Sequence, residues 1–336
     1  MTKGYRVVAI LWALLALMPC GGAQSLDEAL VAAAKSDGKV VFYTSFLGSP
    51  LHLGIIKSFE QTYGIPVELL DVRASEMLER IRTEQAAGRF LGDVIQNGSA
   101  TLLRQERDSQ LRPHGDIPNL KNLLPDLSAT DIRVPSYILP YGILINTRLV
   151  PPSEEPKSWA DLLDPRWKGK ILADDLRAIG GGSITFAAFH DRLGVEFLRK
   201  LAAQDLVFSR DVGNDERRVA RGEFPLRFPE LFSSYLLLKG LPVKLVVPLE
   251  GAPYVRFDMA LLKNAPHPNA ARLFIDFYLG EQTQLTYANA ALKPVVKGVA
   301  EKASPDMQAL ANVKLLGTSN ADTQQEMLNL AAQIFK

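Results

Sequence analysis

The chain has 336 residues, 47% hydrophobic and 22% charged, with 38 Lys and Arg against 37 Asp and Glu, a net charge of +1 and one cysteine. So even a balance leaves no basic excess to hold nucleic acid and no long basic run for a membrane surface. One cysteine excludes an internal disulfide, and the length allows two lobes, because single cores stop growing near ~250–300 residues.

The N-terminus comes first. Lys3 and Arg6 form a positive start, Val7 to Met18 is unbroken apolar sequence, and Pro19 to Ala23 supplies small residues with Gly21 and Ala23 where a signal peptidase favours them. The apolar run of twelve residues is too short for a hydrocarbon core that needs about 20. A signal peptide over 1–23 is expected, cleaved after Ala23 to leave an exported, soluble, periplasmic product. Cys20 follows Leu17-Met18-Pro19, a poor lipobox because proline stands where a small residue is needed. Loss of Lys3 and Arg6 takes the net charge from +1 to −1. The mature chain then lacks cysteine, which suits an oxidising compartment.

Helical and strand patterns alternate from there on. Leu26 to Lys35 reads as an amphipathic helix ended by Ser36-Asp37-Gly38, and Lys39 to Tyr43 as a buried strand opening on Thr44-Ser45. A helix from Pro50 to Tyr63 is stopped by Gly64. Ile65 to Leu70 is the next strand, and Ala74-Ser75 caps a helix from Glu76 to Ala87. Asp93 to Gln96 is a third strand, with Asn97-Gly98-Ser99 leading into a helix from Thr101. Strand, loop and helix repeated three times predict a parallel sheet with right-handed crossovers, where ligands sit beyond the carboxyl ends of the strands.

Ser136 to Asn146 is an extended apolar run interrupted by Pro140, after which a second alternating set begins. Ser158 is placed to cap a short helix with Trp159, Leu162 and Leu163 as its apolar stripe, and Asp164-Pro165 ends it. Lys168-Gly169-Lys170 turns the chain into the strand Ile171 to Ala173, which runs into Asp174-Asp175, Arg177 and the glycines at 180, 181 and 182. Helices follow at Gly180–Leu193 and Val195–Gln204, a strand at Val207-Phe208, helices at Glu216–Arg221 and Glu230–Lys239, and strands at Val243–Val247 and Arg256–Leu262. Asn269 is placed to cap a terminal helix. The ordering predicts one lobe made of both chain ends and a second made of the middle.

The segment Glu155-Pro156-Lys157-Ser158-Trp159 through Lys170, with two Trp, a Pro and a Gly-Lys at fixed spacing, closely resembles a segment of the periplasmic solute-binding proteins of ABC importers. The resemblance is to the group with ferric-iron and hexose-phosphate binders, and it extends to Lys263–Phe277. It implies an α/β, two-lobed type II periplasmic binding protein fold, each lobe a mostly parallel sheet flanked by helices. Lobe 1 would hold 24–140 plus 255–336 and lobe 2 141–254, with crossings near 137–146 and 248–258. It also implies a monomer that delivers a small-molecule solute to an inner-membrane permease, or partners a membrane sensor.

Within that fold several loops converge as candidate ligand contacts. The first lobe offers Tyr43, Thr44, Ser45, Ser75, Asn97, Gly98, Ser99 and Tyr137; the second offers Asp174, Arg177, Gly181, Gly182, Ser183, Arg227 and Glu230. Hydroxyls and backbone N–H groups at helix starts favour anions, glycines let the backbone come close, and Arg177 could grip a carboxylate or phosphate ester with two bonds. Ser75, Ser99 and Ser183 serve equally well as helix caps, and Tyr43, Tyr137 and Tyr141 as core residues.

Ferric-iron members of the group carry two adjacent tyrosines in the second lobe, phenolate oxygens being hard ligands for a hard cation. Here Phe232 and Ser233 stand at the matching positions. Neither metal nor cofactor is expected, and iron held without a tyrosine pair is the alternative. Catalysis has no seat: Ser183 lacks the glycine of a nucleophile elbow and no phosphate-binding P-loop occurs.

Overall fold

The computed structural model describes residues 26–46 and 48–336, so the expected signal peptide over 1–23 lies outside the described residues. None of the described helices is long and apolar enough to cross a membrane. In chain order the first half comprises α1 (Leu26–Asp37), β1 (Val40–Thr44), α2 (Pro50–Tyr63), β2 (Val67–Asp71), α3 (Ala74–Ala86), β3 (Val94–Gly98), α4 (Ser99–Arg107), β4 (Leu111–Arg112) and the long β5 (Arg133–Asn146). Then come β6 (Ile171–Asp174), α5 (Gly181–Leu193), α6 (Val195–Ala202), β7 (Val207–Ser209), α7 (Val212–Arg221), β8 (Leu226–Leu231), α8 (Phe232–Tyr235), β9 (Val243–Val246) and β10 (Ala252–Leu262). The chain closes with α9 (Pro268–Tyr278), α10 (Glu281–Asn289), α11 (Pro305–Ala311), β11 (Leu315–Gly317) and α12 (Gln324–Ile334).

The strands lie in the order β2-β1-β3-β10-β5-β8-β6-β7. The β1–β2 and β1–β3 pairs are parallel, as are β6–β7, β6–β8 and β10–β11, while β10 runs antiparallel to β3 and β5, and β5 to β8 and β9. The two lobes meet in β5. Its first part, Arg133 to Pro140, pairs with β10, and its remainder from Tyr141 pairs with β8 and β9. The pairing register shifts at Phe257/Asp258 and at Gly142/Leu144, as at bulges. Gly142 is required there, because a Cβ would lie 2.7 Å from the Val246 carbonyl oxygen.

Each lobe has its own core. In the first, Phe42, Phe59, Phe274 and Tyr278 interlock with ring centroids 4.9 Å apart between Phe42 and Phe274 and between Phe59 and Phe274. In the second, Trp159, Phe186, Phe189 and Phe228 pack with Leu198 and Leu201. The Ser158 segment is a packing device. It forms a 3-10 turn, Trp159–Leu163, closed by a capping box between Ser158 and Asp161, and the Trp159 indole N–H donates to the Gly251 carbonyl at 2.9 Å, fastening this turn to the start of β10.

Three local expectations differ from what is observed. The stretch expected as one helix, Glu230–Lys239, is strand β8 as far as Leu231, then α8 and a 3-10 turn. Strand β8 is buried along most of its length, but Arg227, Pro229 and Glu230 break its apolar pattern, so no strand signal shows there in the sequence. The start of α9 is capped not by Asn269 but by Asp37 at the end of α1, whose Oδ2 accepts the N–H groups of Asn269 (2.7 Å) and Ala270 (2.9 Å). Third, α12 does not pack with the lobe of the chain ends: Met327, Ala331 and Phe335 belong to the second core.

Candidate functional site

Helices α4 and α5 begin on opposite sides of one cavity of about 470 Å³ between the lobes. Gly98, Ser99 and Thr101 contribute from the first lobe and Gly180, Ser183 and Ile184 from the second; Tyr254 to Arg256 of β10 form the back, and Thr318 to Ala321 with Gln324 close one side. Strand β3 delivers α4 directly, since Gly98 ends the strand and Ser99 begins the helix, and no side chain caps that start. Strand β6 delivers α5 through Asp174 and the glycines. Both helix starts turn backbone N–H groups and the positive end of a dipole towards the cavity.

Arg256 supplies the side-chain charge. Its Nη2 donates to the Ser99 hydroxyl at 2.9 Å and to Asp258 Oδ2 at 2.9 Å, and Arg133 donates to the same hydroxyl at 3.3 Å. Asp258 is fully buried between the two arginines. Ser99 is therefore a positioned acceptor rather than a helix cap.

At the second helix start Asp174 Oδ2 accepts the Gly182 N–H at 2.8 Å, so part of that dipole is answered by the protein's own carboxylate. Burial pushes the Asp174 carboxyl above the usual range, against the opposing pull of this bond and of Arg227 and Arg210. The Ser183 hydroxyl bonds the Gly180 backbone, accepting at 3.2 Å and donating at 3.1 Å. Gly182 is fixed by sterics, a Cβ there falling 2.4 Å from the Asp175 carbonyl oxygen.

Of the residues proposed from sequence, Gly98, Ser99 and Ser183 line the cavity, with Gly181 and Gly182 forming the turn beneath Ser183. Asn97 is buried at the end of β3, its Oδ1 accepting the Gly98 N–H at 2.8 Å. The others lie elsewhere. Tyr43 faces the first-lobe interior with its hydroxyl on Glu84 (3.0 Å), and burial first, then that bond, push the phenol up to about 12. Thr44 is buried and Ser45 half-buried at the end of β1, away from the cavity lining. Ser75 is exposed in the first turn of α3 and caps nothing there, the cap position being Arg73. Tyr137 stacks on Phe257 at 4.7 Å inside the first core.

Arg177 is committed too. It holds Asp175 through Nε (2.8 Å) and Nη2 (3.1 Å), lies 4.6 Å over the Phe208 ring, and donates to the Phe335 carbonyl at 3.3 Å. Arg227 and Glu230 are hydrogen-bonded to each other, fully buried within β8 and outside the cavity lining. Sequence reading did not find Arg256 or the 318–324 segment. Arg256 carried a weak signal, as a lone cation in a strand expected to cross between lobes; Thr318 to Gln324 carried none, because only the tertiary return of the chain brings it there. Among the described residues, no three His, Cys, Asp or Glu side chains are grouped to hold a metal ion.

Two sheet-built lobes joined by continuous strands, with a cavity where they meet, define the class: the type II periplasmic binding protein fold. Residues 86–323 match the family model of the bacterial extracellular solute-binding proteins. The chain belongs to that family. An uncharacterized protein of Haemophilus influenzae is 34% identical over 39% of this chain and 39% of its own length, so the chain spans about two fifths of that relative. A putative 2-aminoethylphosphonate-binding periplasmic protein of Salmonella typhimurium is 24% identical over 68% of each chain, and the spermidine/putrescine-binding periplasmic protein of Escherichia coli 26% identical over 67% of this chain and 69% of its own. Among solved structures, the substrate-binding protein of an ABC transporter from Agrobacterium tumefaciens superposes with a TM-score of 0.71 at 18% identity, covering 90% of this chain and 96% of the other. Iron-bound HitA from Pseudomonas aeruginosa gives 0.70 at 22% identity, over 88% and 99%.

Proposed function

We propose that this protein is the solute-binding component of an ABC transporter, capturing a small polar solute with a carboxylate, phosphate or phosphonate group between its lobes and delivering it to an inner-membrane permease. The observation that carries this reading is the convergence of two helix starts, Arg256 and the Ser99 hydroxyl on one inter-lobe cavity of about 470 Å³. Neutral hydroxyl and amide groups from Ser183, Ser319, Asn320 and Gln324 share the rest of the lining with apolar side chains such as Leu103, Ile179, Ile184 and Val255, which suits a solute larger than a bare inorganic anion. Solute touching both lobes stabilises the closed arrangement by its differential contacts, and closure presents the paired lobe surfaces to the permease. The Asp174 carboxylate, which answers the start of α5 behind the cavity lining, favours placing the anionic group on the Ser99–Arg256 side.

Calorimetric titration with hydroxy acids, sugar phosphates and aminoalkylphosphonates tests this. A charge-assisted hydrogen bond contributes about 1.5–3 kcal/mol, so Arg256→Gln is expected to weaken the best solute ~10-fold or more, and Ser183→Ala less. Unchanged affinity in both variants would reject the site, and binding of a polyamine control with none of these anions bound would reject the anionic class.

A further inference from the structure

The C-terminal segment is where the two lobes are tied together a third time. After β11, which pairs with the start of β10, residues 318–324 run along the open side of the cavity, and α12 follows. The segment is anchored at both ends, and to different lobes. On the first lobe Arg107, in the last turn of α4, takes the Asp322 carboxylate with both terminal guanidinium nitrogens, Nη2 to Oδ2 at 3.0 Å. One turn earlier Arg104 Nη2 donates to Gln324 Oε1 at 2.8 Å and to the Ala321 carbonyl at 3.4 Å. On the second lobe Met327, Ala331 and Phe335 are part of the core, and Arg177 holds the Phe335 carbonyl.

Hinge motion separates α4 from α5. It must therefore either drag this segment off α4 or be restrained by it. The contacts on the second lobe are buried and apolar, whereas those on α4 are ionic and half-exposed, with Arg107 and Asp322 at 53% and 52% side-chain exposure. The α4 end is the one that yields, because exposed pairs are weak and screened by water while core packing is not. Meanwhile Thr318, Ser319 and Asn320 reach the same cavity that the helix starts reach.

We propose that Thr318–Gln324 is a third wall of the cleft and that Arg104 and Arg107 are positioning residues which seat this wall on the first lobe and so set how far the cleft opens. The wall's contact with solute rests on the cavity being the solute site. The control of opening does not, and is tested on ligand-free protein. Small-angle X-ray scattering and amide hydrogen exchange are measured for the parent chain, Arg107→Gln, Asp322→Asn, and the charge swap Arg107→Asp with Asp322→Arg. Each single variant is expected to show a larger radius of gyration and several-fold faster exchange at residues 319–324, with the melting temperature nearly unchanged because the pair is exposed; the swap is expected to return both readouts towards the parent. A radius and exchange pattern identical to the parent in the single variants overturns the proposal, as does a swap no better than either single change, since a merely structural loss would not be rescued by reversing the charges. Failure of every solute to bind would instead count against the proposed function and leave these readouts as they are.

Discussion

Arg227 and Glu230 were candidates for gripping a ligand, and the structure gives them to each other, 1% and 0% exposed, inside β8. Glu216, also buried, lies against Glu230, so the local carboxylates outnumber the one enclosed guanidinium. The result is a Glu230 carboxyl pushed up to about 8, chiefly by burial and further by Glu216, against the pull of Arg227. The folded state then holds a proton that the unfolded chain releases near the ordinary glutamate value of 4.5. By linkage this contribution to stability is fully present below about 4.5 and is lost as pH rises through about 8. His52, held down to about 4 by burial, works the other way, its contribution being present above 6.5 and lost as pH falls towards 4. Comparing the parent with Glu230→Gln separates the two. The parent's melting temperature is expected to fall relative to that of the variant between pH 5 and pH 9, and parallel curves would remove the buried proton from the account.

Helix α5 illustrates how an element can be placed by one residue type. Its second residue, Gly182, sits so close to the backbone of Asp175 that a methyl group would lie 2.4 Å from the carbonyl oxygen and 2.6 Å from the carbonyl carbon. Neither atom belongs to a flexible side chain, so the helix start itself must move. Gly182→Ala is expected to cost about 1–3 kcal/mol, as overpacking does, and to weaken solute binding through displacement of Ser183. Gly54, in the middle of α2 with nothing within 4 Å of its added Cβ, is the control: Gly54→Ala should stabilise by about 0.4–1 kcal/mol. Thermal melts of the two variants in opposite directions are the expected outcome, and a neutral Gly182→Ala would mean that the approach to Asp175 is relaxed in solution. The same element shows how far the sequence could be read. The strands β1, β3 and β6, and helices such as α2 with its Gly64 stop, were legible because period and capping are local signals. The glycine run before Ser183 was legible as a helix start for the same reason. Glu230–Lys239 was misread at its start because the charged Arg227 and Glu230 break the apolar pattern of the buried β8, and Arg177 because its carboxylate partner two residues away competes with any ligand. Arg256 and Thr318–Gln324 reach the cleft only through long-range packing, which no local pattern encodes.

At the scale of the whole molecule the two lobes have separate cores but unequal sources of sequence. The second lobe takes most of its core from the middle of the chain, yet it is completed by the last helix, in which Phe335 packs its ring 5.7 Å from Phe208 and 6.2 Å from Phe186. Fully burying a Met or Phe side chain contributes about 1.5–3 kcal/mol, so Met327 and Phe335 together supply a sizeable part of one lobe's margin of ~5–15 kcal/mol. The first lobe touches α12 through Arg104, which donates to Gln324, but takes no core residue from it. Ending the chain after Asp322 should therefore destabilise the second lobe selectively. Differential scanning calorimetry is expected to resolve the single transition of the full chain into two, the lower one belonging to the second lobe. Tryptophan fluorescence can assign it, because Trp159 and Trp167 both pack in the second core. A truncated protein that still melts in one transition at the parent temperature would show that α12 is an appendage and that the second lobe is complete without it. The expected split follows from the packing: most apolar side chains of each lobe gather in a cluster of their own, with Phe232 and Leu245 of the second lobe joining the first lobe's cluster across the junction.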